Sequence, residues 1–151
     1  MRYFFVLVSL VAAAIVAVVL PGAALSDLGD PIELKITYHN VTCTQVGSNL
    51  SCSGKISGLG NAAQTVRIDI TATRQCTNVG GNEPPGQVKG QSSPLPVRNG
   101  SVTFSNVTTQ AKACPDKMTP TFIGPATVCV VAVSGTLPGG ETSHCEQVPI
   151  T

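Results

Sequence analysis

Beyond the first two dozen residues, apolar and polar positions alternate with a period of two. Ile32, Leu34, Ile36 and Tyr38 alternate with Glu33, Lys35 and Thr37, the pattern of a strand with one buried and one wet face. Val41 to Val46 and Asn49 to Ile56 read as the next two strands. Val66, Ile68 and Ile70 alternate with Arg67, Asp69 and Thr71, in a strand that runs on to Arg74. Val102 and Phe104 alternate with Thr103 and Ser105. Thr127 to Ser134 is the most apolar run and reads as a central strand, with Val128, Val130 and Ala132 on one face. His144 to Ile150 closes the chain, with Pro149 best suited to an edge.

Turn residues punctuate these runs. Gly58-Leu59-Gly60-Asn61, Gly80-Gly81-Asn82 and Pro84-Pro85-Gly86 are breakers, and Asn99-Gly100 is a two-residue hairpin signal. Residues 77 to 96 read as one Gly/Pro-rich connection with a short edge strand near Gln87 to Gln91. No internal repeat stands out. Short strands with frequent turns and little helical patterning predict an all-β fold, a two-sheet antiparallel immunoglobulin-like sandwich.

The first residues follow a different plan. Arg2 precedes an apolar run from Tyr3 to Leu20 that only Ser9 interrupts, and Pro21-Gly22 ends it. Small residues at Gly22, Ala24 and Ser26 complete the outline of a secretory signal peptide cleaved after Ala24 or Ser26. An apolar run of about 18 residues is also long enough for an uncleaved membrane anchor. Residues 1–26 are therefore read as signal peptide or N-terminal anchor, and 27–151 as the β-sandwich domain, secreted or held at the cell surface.

Setting Arg2 aside leaves eight of the nine Lys/Arg against eight Asp/Glu. That near-zero charge gives nucleic acid no electrostatic footing, and membrane contact is expected only through an uncleaved N-terminal segment. Tyr38, Phe104 and Phe122 are the aromatics after residue 26, and Trp is absent. The core must come from Val, Ile, Leu and Ala.

Six cysteines, Cys43, Cys52, Cys76, Cys114, Cys129 and Cys145, follow the export signal. An even count there predicts three disulfides. If Gly47-Ser48 forms a type II′ turn, Cys43 faces Cys52 at a non-hydrogen-bonded pair, within bridging reach. A five-residue loop over 135–139 would likewise set Cys129 opposite Cys145. Cys76 and Cys114 then pair by elimination, one choice among 15 connectivities. No C-x-x-C occurs, and neither His39 nor His144 lies at ligand spacing to a Cys pair, so neither a metal nor a cofactor is expected.

The run Cys76-Thr-Asn-Val-Gly-Gly-Asn-Glu-Pro-Pro-Gly86 resembles a motif, Cys-x-Asn-x-Gly-Gly-Asn-x-x-Pro-Gly, of a loose group of uncharacterised small exported microbial proteins. Ile56-Ser-Gly-Leu-Gly-Asn61, Arg98-Asn-Gly-Ser-Val-Thr-Phe-Ser105 and Cys114-Pro-Asp116 resemble other parts of that group in the same order, over roughly Ile56 to Val133. The resemblance implies that Cys76 pairs with Cys114. It departs after Pro115, where Lys117-Met118-Thr119 replaces an expected aromatic, and it brings no catalytic residues.

Candidate chemistry is sparse. A hydrolase would need a nucleophile, a base and an orienting acid together, and there is no G-x-S-x-G. Both His are read as exposed at strand ends, and the acids Asp27, Asp30, Asp69, Asp116, Glu33, Glu83, Glu141 and Glu146 are scattered. Asn78, Asn82 and Glu83 offer oxygens for calcium, although a structural Gly-rich loop explains them as well. Four N-x-S/T sequons make Asn40, Asn49, Asn99 and Asn106 candidate glycosylation sites. Sugar-binding platforms are nearly absent, because Phe104 and Phe122 belong to the expected core. The expected function is an exported binding or structural domain whose partner is an extracellular protein or glycan. The alternative is a small secreted enzyme or metal-dependent domain using the 77–96 loop.

Overall fold

The computed structural model describes residues 35–78 and 80–151. The expected leader or anchor (1–26) and the first half of the expected strand from Ile32 lie outside the described residues. Among the described residues there are nine strands: β1 (Thr37–Val46), β2 (Asn49–Ser57), β3 (Thr65–Asn78), β4 (Gly81–Asn82), β5 (Gly86–Gln91), β6 (Leu95–Pro96), β7 (Ser101–Thr108), β8 (Thr119–Ser134) and β9 (Ser143–Val148). A 3₁₀ turn, Pro138–Gly140, lies in the loop before β9.

The strands make two antiparallel sheets. One has the order β1-β2-β7. In the other, β8 pairs one edge of β3 and β9 pairs β8. The short strands β4, β5 and β6 run along β3 at residues 77–78, 69–74 and 65–66. Reading β1, β2, β3, β5, β7, β8 and β9 as A, B, C, C′, E, F and G gives the A-B-E and C′-C-F-G sheets of an immunoglobulin-like sandwich. The connection 77–96 is thus more regular than its composition implies, because β3 is long enough to template three short strands in series.

The core lies between the sheets and is aliphatic. Leu50, Ile56, Val102 and Phe104 project from the first sheet, and Val66, Ile68, Ile70, Val128 and Val130 from the second. Leu59 and Leu137, from the β2–β3 and β8–β9 loops, are buried at the same end of the sandwich. Ala132 is only partly buried, and so is Phe122, which the sequence reading put in the core.

Two strand boundaries differ from expectation, each because of extra residues inserted in a ladder. The alternation Ile36–Tyr38 and the alternation from Val41 are out of phase, which reads as two strands. They are one: the register shifts between His39 and Thr42, and Asn40, at φ 48°, is the extra residue of a β-bulge. Likewise β8 begins at Thr119, eight residues before the expected start. Gly124-Pro125 looks like a breaker, yet the ladder with β3 skips over it by a register shift, with Gly124 at φ 72°. The last strand ends at Val148. Past Pro149 the chain crosses to the first sheet, where Ile150 pairs with Cys43 and the Thr151 amide donates to the Cys43 carbonyl at 2.9 Å.

The opposite flank is tied as well. The Gln110 amide donates to the Lys89 carbonyl at 2.9 Å, linking β5 to the chain just after β7. Gly90 is required there, since a Cβ would run into the Thr108 carbonyl oxygen and lie 2.8 Å from the Thr109 Cα.

All three disulfides form as expected: Cys43–Cys52, Cys76–Cys114 and Cys129–Cys145, with Cα–Cα distances of 4.1, 5.7 and 4.0 Å. The first and third are cross-strand pairs in the registers that turn geometry predicts. Gly47 has positive φ and Ser48 does not, the pattern of a type II′ turn. Asn99 and Gly100 both have positive φ, as a type I′ turn requires.

Candidate functional site

The most distinctive surface is the outer face of the β1-β2-β7 sheet. In β2, Leu50, Cys52 and Ile56 turn inward, so Ser51, Ser53, Lys55 and Ser57 turn outward. The ladders align them in rows: Thr37, Ser57 and Ser101; His39, Lys55 and Thr103; Thr42 beside Ser53; and Thr44, Ser51 and Thr108. Strand geometry spaces such side chains by roughly 4.8 Å across strands and roughly 6.8 Å along them. The result is a broad face of hydroxyl groups with one Lys and one His.

Two local structures shape this face, and they are the same one used twice. Tyr38-His39-Asn40-Val41-Thr42 and Phe104-Ser105-Asn106-Val107-Thr108 flank β2 on its two sides, running parallel to one another. In each, the aromatic turns inward, the next residue outward, Asn takes the left-handed bulge (φ 48° and 53°), Val returns to the interior and Thr points out. This is an internal repeat that strand-by-strand alternation does not reveal. Between the copies, Ser53 Oγ accepts from the Asn106 amide at 2.9 Å, and Gly54 leaves room for Val41.

Five of the nine hydroxyls on this face have internal partners, among them Thr37 with the Lys35 carbonyl, Ser101 with the Arg98 carbonyl and Ser53 with the Asn106 amide. His39 Nε2 and Ser57 Oγ lie 2.6 Å apart, and Thr108 Oγ1 donates to the Asn106 carbonyl at 3.1 Å. Among the described residues, Thr42, Thr44, Ser51 and Thr103 hydroxyls find no protein partner and face solvent. The His39–Ser57 pair supplies two members of a hydrolytic triad. No carboxylate among the described residues bonds His39 to orient it, so the pair braces the bulge.

The structure sorts the four sequon asparagines. Asn40, Asn99 and Asn106 are exposed and all adopt positive φ. Asn49 is half-buried, and its Oδ1 accepts from the Ala111 amide at 2.9 Å. Three of the four therefore sit where the backbone demands a left-handed residue, and Asn is the commonest non-Gly choice there.

Other candidates are dispersed. His39 lies inside the continuous β1, whereas the sequence reading put it at a strand end. His144 turns to the sheet flank beside Tyr38, whose hydroxyl donates to the His144 carbonyl at 2.6 Å, and its Nδ1 lies 3.3 Å from Glu141. Burial, followed by the charge of Glu146, pushes the Tyr38 hydroxyl up to about 12. Arg67 grips Asp69 with two bonds, 2.6 and 2.9 Å. In the 77–96 segment, Asn78 Oδ1 accepts from the Gly80 amide at 2.8 Å and the Glu83 carbonyl accepts from Gln75 at 2.9 Å. Among the described residues no three His, Cys, Asp or Glu converge on a metal-sized site. A shallow, open depression of about 470 Å³ between Lys89 and Gln110 carries Lys89 as its one charged group. No helix among the described residues is long and apolar enough to cross a membrane.

Comparison with protein-family models, curated proteins and solved structures finds no match. The residues themselves must carry the functional reading. Three disulfides in a small sandwich are the mark of a domain built for an oxidising compartment.

Proposed function

We propose that this chain is an exported domain, secreted or held at the cell surface, that binds a hydroxyl-rich polymer such as a glycan through the outer face of the β1-β2-β7 sheet. The observation that carries this reading is the array of outward Ser and Thr in register across three strands. A hydroxyl both donates and accepts, so such a face matches a neutral polyol without charge. The aromatic platforms typical of sugar clefts are not used. Each contact is weak, and retention depends on many contacts along an extended polymer. The resemblance of Ile56 to Val133 to small exported microbial proteins supports the compartment, as does the apolar segment 1–26.

Glycosylation at Asn40 or Asn106 would cover the same face, so the two uses exclude one another. An intact-mass measurement on native protein decides between them: the bare polypeptide mass fits a binding face, and hexose increments at Asn40 or Asn106 contradict it. Binding is tested by co-sedimentation with insoluble polysaccharides. The wild type and a Thr71→Asp variant on the opposite sheet should sediment, and Ser53→Asp with Thr103→Asp should not. No sedimentation of the wild type with any polysaccharide tried, or equal loss in both variants, would overturn the assignment.

A further inference from the structure

Cys129 and Cys145 face each other across β8 and β9 in the same cross-strand relation as Cys43 and Cys52, but on the other side of their sheet. Ala126, Val128 and Val130 turn into the core, so Cys129 between them turns out. Cys145 is exposed and Cys129 half-buried. Neither of the other bridges has an exposed cysteine: Cys43 and Cys52 are each 0% exposed, and Cys76 is 2% exposed with Cys114 half-buried. Thiol–disulfide exchange requires a thiolate to reach a sulfur, so access decides which bridge reacts.

We propose that Cys129–Cys145 is a surface thiol-exchange site, open to an external thiolate while the fold stays intact. The thiolate attacks Cys145 Sγ, a new S–S bond forms to the incoming sulfur, and the Cys129–Cys145 bond breaks. The electron pair leaves on Cys129 Sγ, which takes a proton from water. A second external thiol then attacks the mixed disulfide, leaving Cys145 as a thiol and the external pair oxidised to a disulfide. In the bridged state the chain has no free cysteine, so the thiol released at Cys129 is the one internal competitor for the adduct, and excess external thiol must outrun its return. Asp69 lies opposite Cys129 in the β3–β8 register, and Arg67 pairs its carboxylate, so Asp69 adds no unpaired negative charge beside the bridge; Glu146, next to Cys145 in the chain, is an exposed carboxylate.

Opening this bridge leaves much of β9 in place. Its ladder to β8 spans six residue pairs, Val148 stays buried, and the tail remains tied to Cys43 by the Thr151 amide. The site therefore responds to thiols without unfolding, and its partner is a small thiol or a dithiol oxidoreductase outside the cell.

The test treats native protein with 2-mercaptoethanol, quenches at intervals with iodoacetamide, and maps the alkylated peptides while circular dichroism is followed. The expected result is a gain of two alkyl groups, on Cys129 and Cys145, before any other cysteine is labelled and before the β signal falls. At early times the mercaptoethanol adduct should sit on Cys145. Labelling of Cys76 and Cys114 first, or of all six together as the signal collapses, would overturn the proposal. In a Cys129→Ser, Cys145→Ser variant, the same treatment should yield no early labelling; unchanged early labelling would place the accessible bridge elsewhere. Repeating the wild-type experiment with glutathione and with a thioredoxin-type protein dithiol identifies the source. Reaction with glutathione alone points to small thiols, reaction with the protein alone points to an oxidoreductase, and reaction with neither overturns the site.

Discussion

Cys43–Cys52 and Cys129–Cys145 are built alike and sit in opposite surroundings. Each joins directly facing residues of a hairpin, at Cα separations of 4.1 and 4.0 Å. They close short loops, with sequence separations of 9 and 16, worth about 3 kcal/mol each by chain entropy. What differs is parity. Cys43 and Cys52 fall in phase with Leu50 and Ile56 and are sealed in the core, whereas Cys129 falls between Val128 and Val130 and meets water. A one-residue offset thus turns the same crosslink from a core filler into a surface group. Cys76–Cys114 is a third design, spanning a separation of 38 and worth about 4 kcal/mol by the same arithmetic.

The largest expected effect breaks the comparison directly. Cys43→Ala with Cys52→Ala loses the loop constraint and leaves a void in the core, for a total of about 5 kcal/mol. Cys129→Ala with Cys145→Ala loses only the constraint, about 3 kcal/mol. Equilibrium denaturation of the two double variants checks the difference, and equal losses would show that burial adds nothing. Cys76→Ala with Cys114→Ala should cost at least as much as the surface pair.

Gly54 is the next lever on the first sheet. A Cβ there would lie 2.7 Å from Val41 Cγ2 and 2.8 Å from its Cα. Gly54→Ala should cost about 1–3 kcal/mol through overpacking, read as a fall in denaturation midpoint. An unchanged midpoint would mean that the β1 bulge yields freely.

The two bulge asparagines sharpen the comparison between modification and conformation. Asn40→Ala and Asn106→Ala should each cost about 1 kcal/mol, because Ala resists the left-handed region, whereas the Gly variants should be near neutral. If Gly proves as damaging as Ala in thermal unfolding, the asparagine side chains have a further role that their backbone angle does not explain.

The smallest effect is electrostatic. The Tyr38 hydroxyl is raised from the ordinary 10 to about 12, first by burial and then by Glu146. Between those values the unfolded chain has lost the proton and the folded one has kept it. Stability from this group is therefore complete below about pH 10 and falls as pH rises toward 12. Tyr38→Phe should flatten that alkaline decline, as measured by denaturation at pH 9, 10 and 11.

Much of the fold was legible because the domain is held by period-two patterning. The parity of Val128-Cys129-Val130 puts Cys129 outside, and the Gly47-Ser48 turn sets Cys43 against Cys52, both from sequence alone. Bulges were not legible. Asn40 and Gly124 each insert residues that break the alternation, and a pattern reader sees a turn where the ladder continues. The hydroxyl face was also missed, because Ser and Thr in β1, β2 and β7 look unremarkable strand by strand. Only the register brings Thr44, Ser51 and Thr108 into one row. The duplicated aromatic-x-Asn-Val-Thr was readable, but as two sequons it pointed to glycosylation before conformation.

We propose the β1-β2-β7 face as the working surface. Amide chemical shifts recorded by NMR while a soluble oligosaccharide from the retained polymer is titrated test it most directly. Binding there should shift Thr42, Thr44, Ser51, Ser53 and Thr103 and leave Thr71, Thr127 and Gln147 on the opposite sheet unmoved. Shifts confined to that opposite sheet, or none on either, would contradict it.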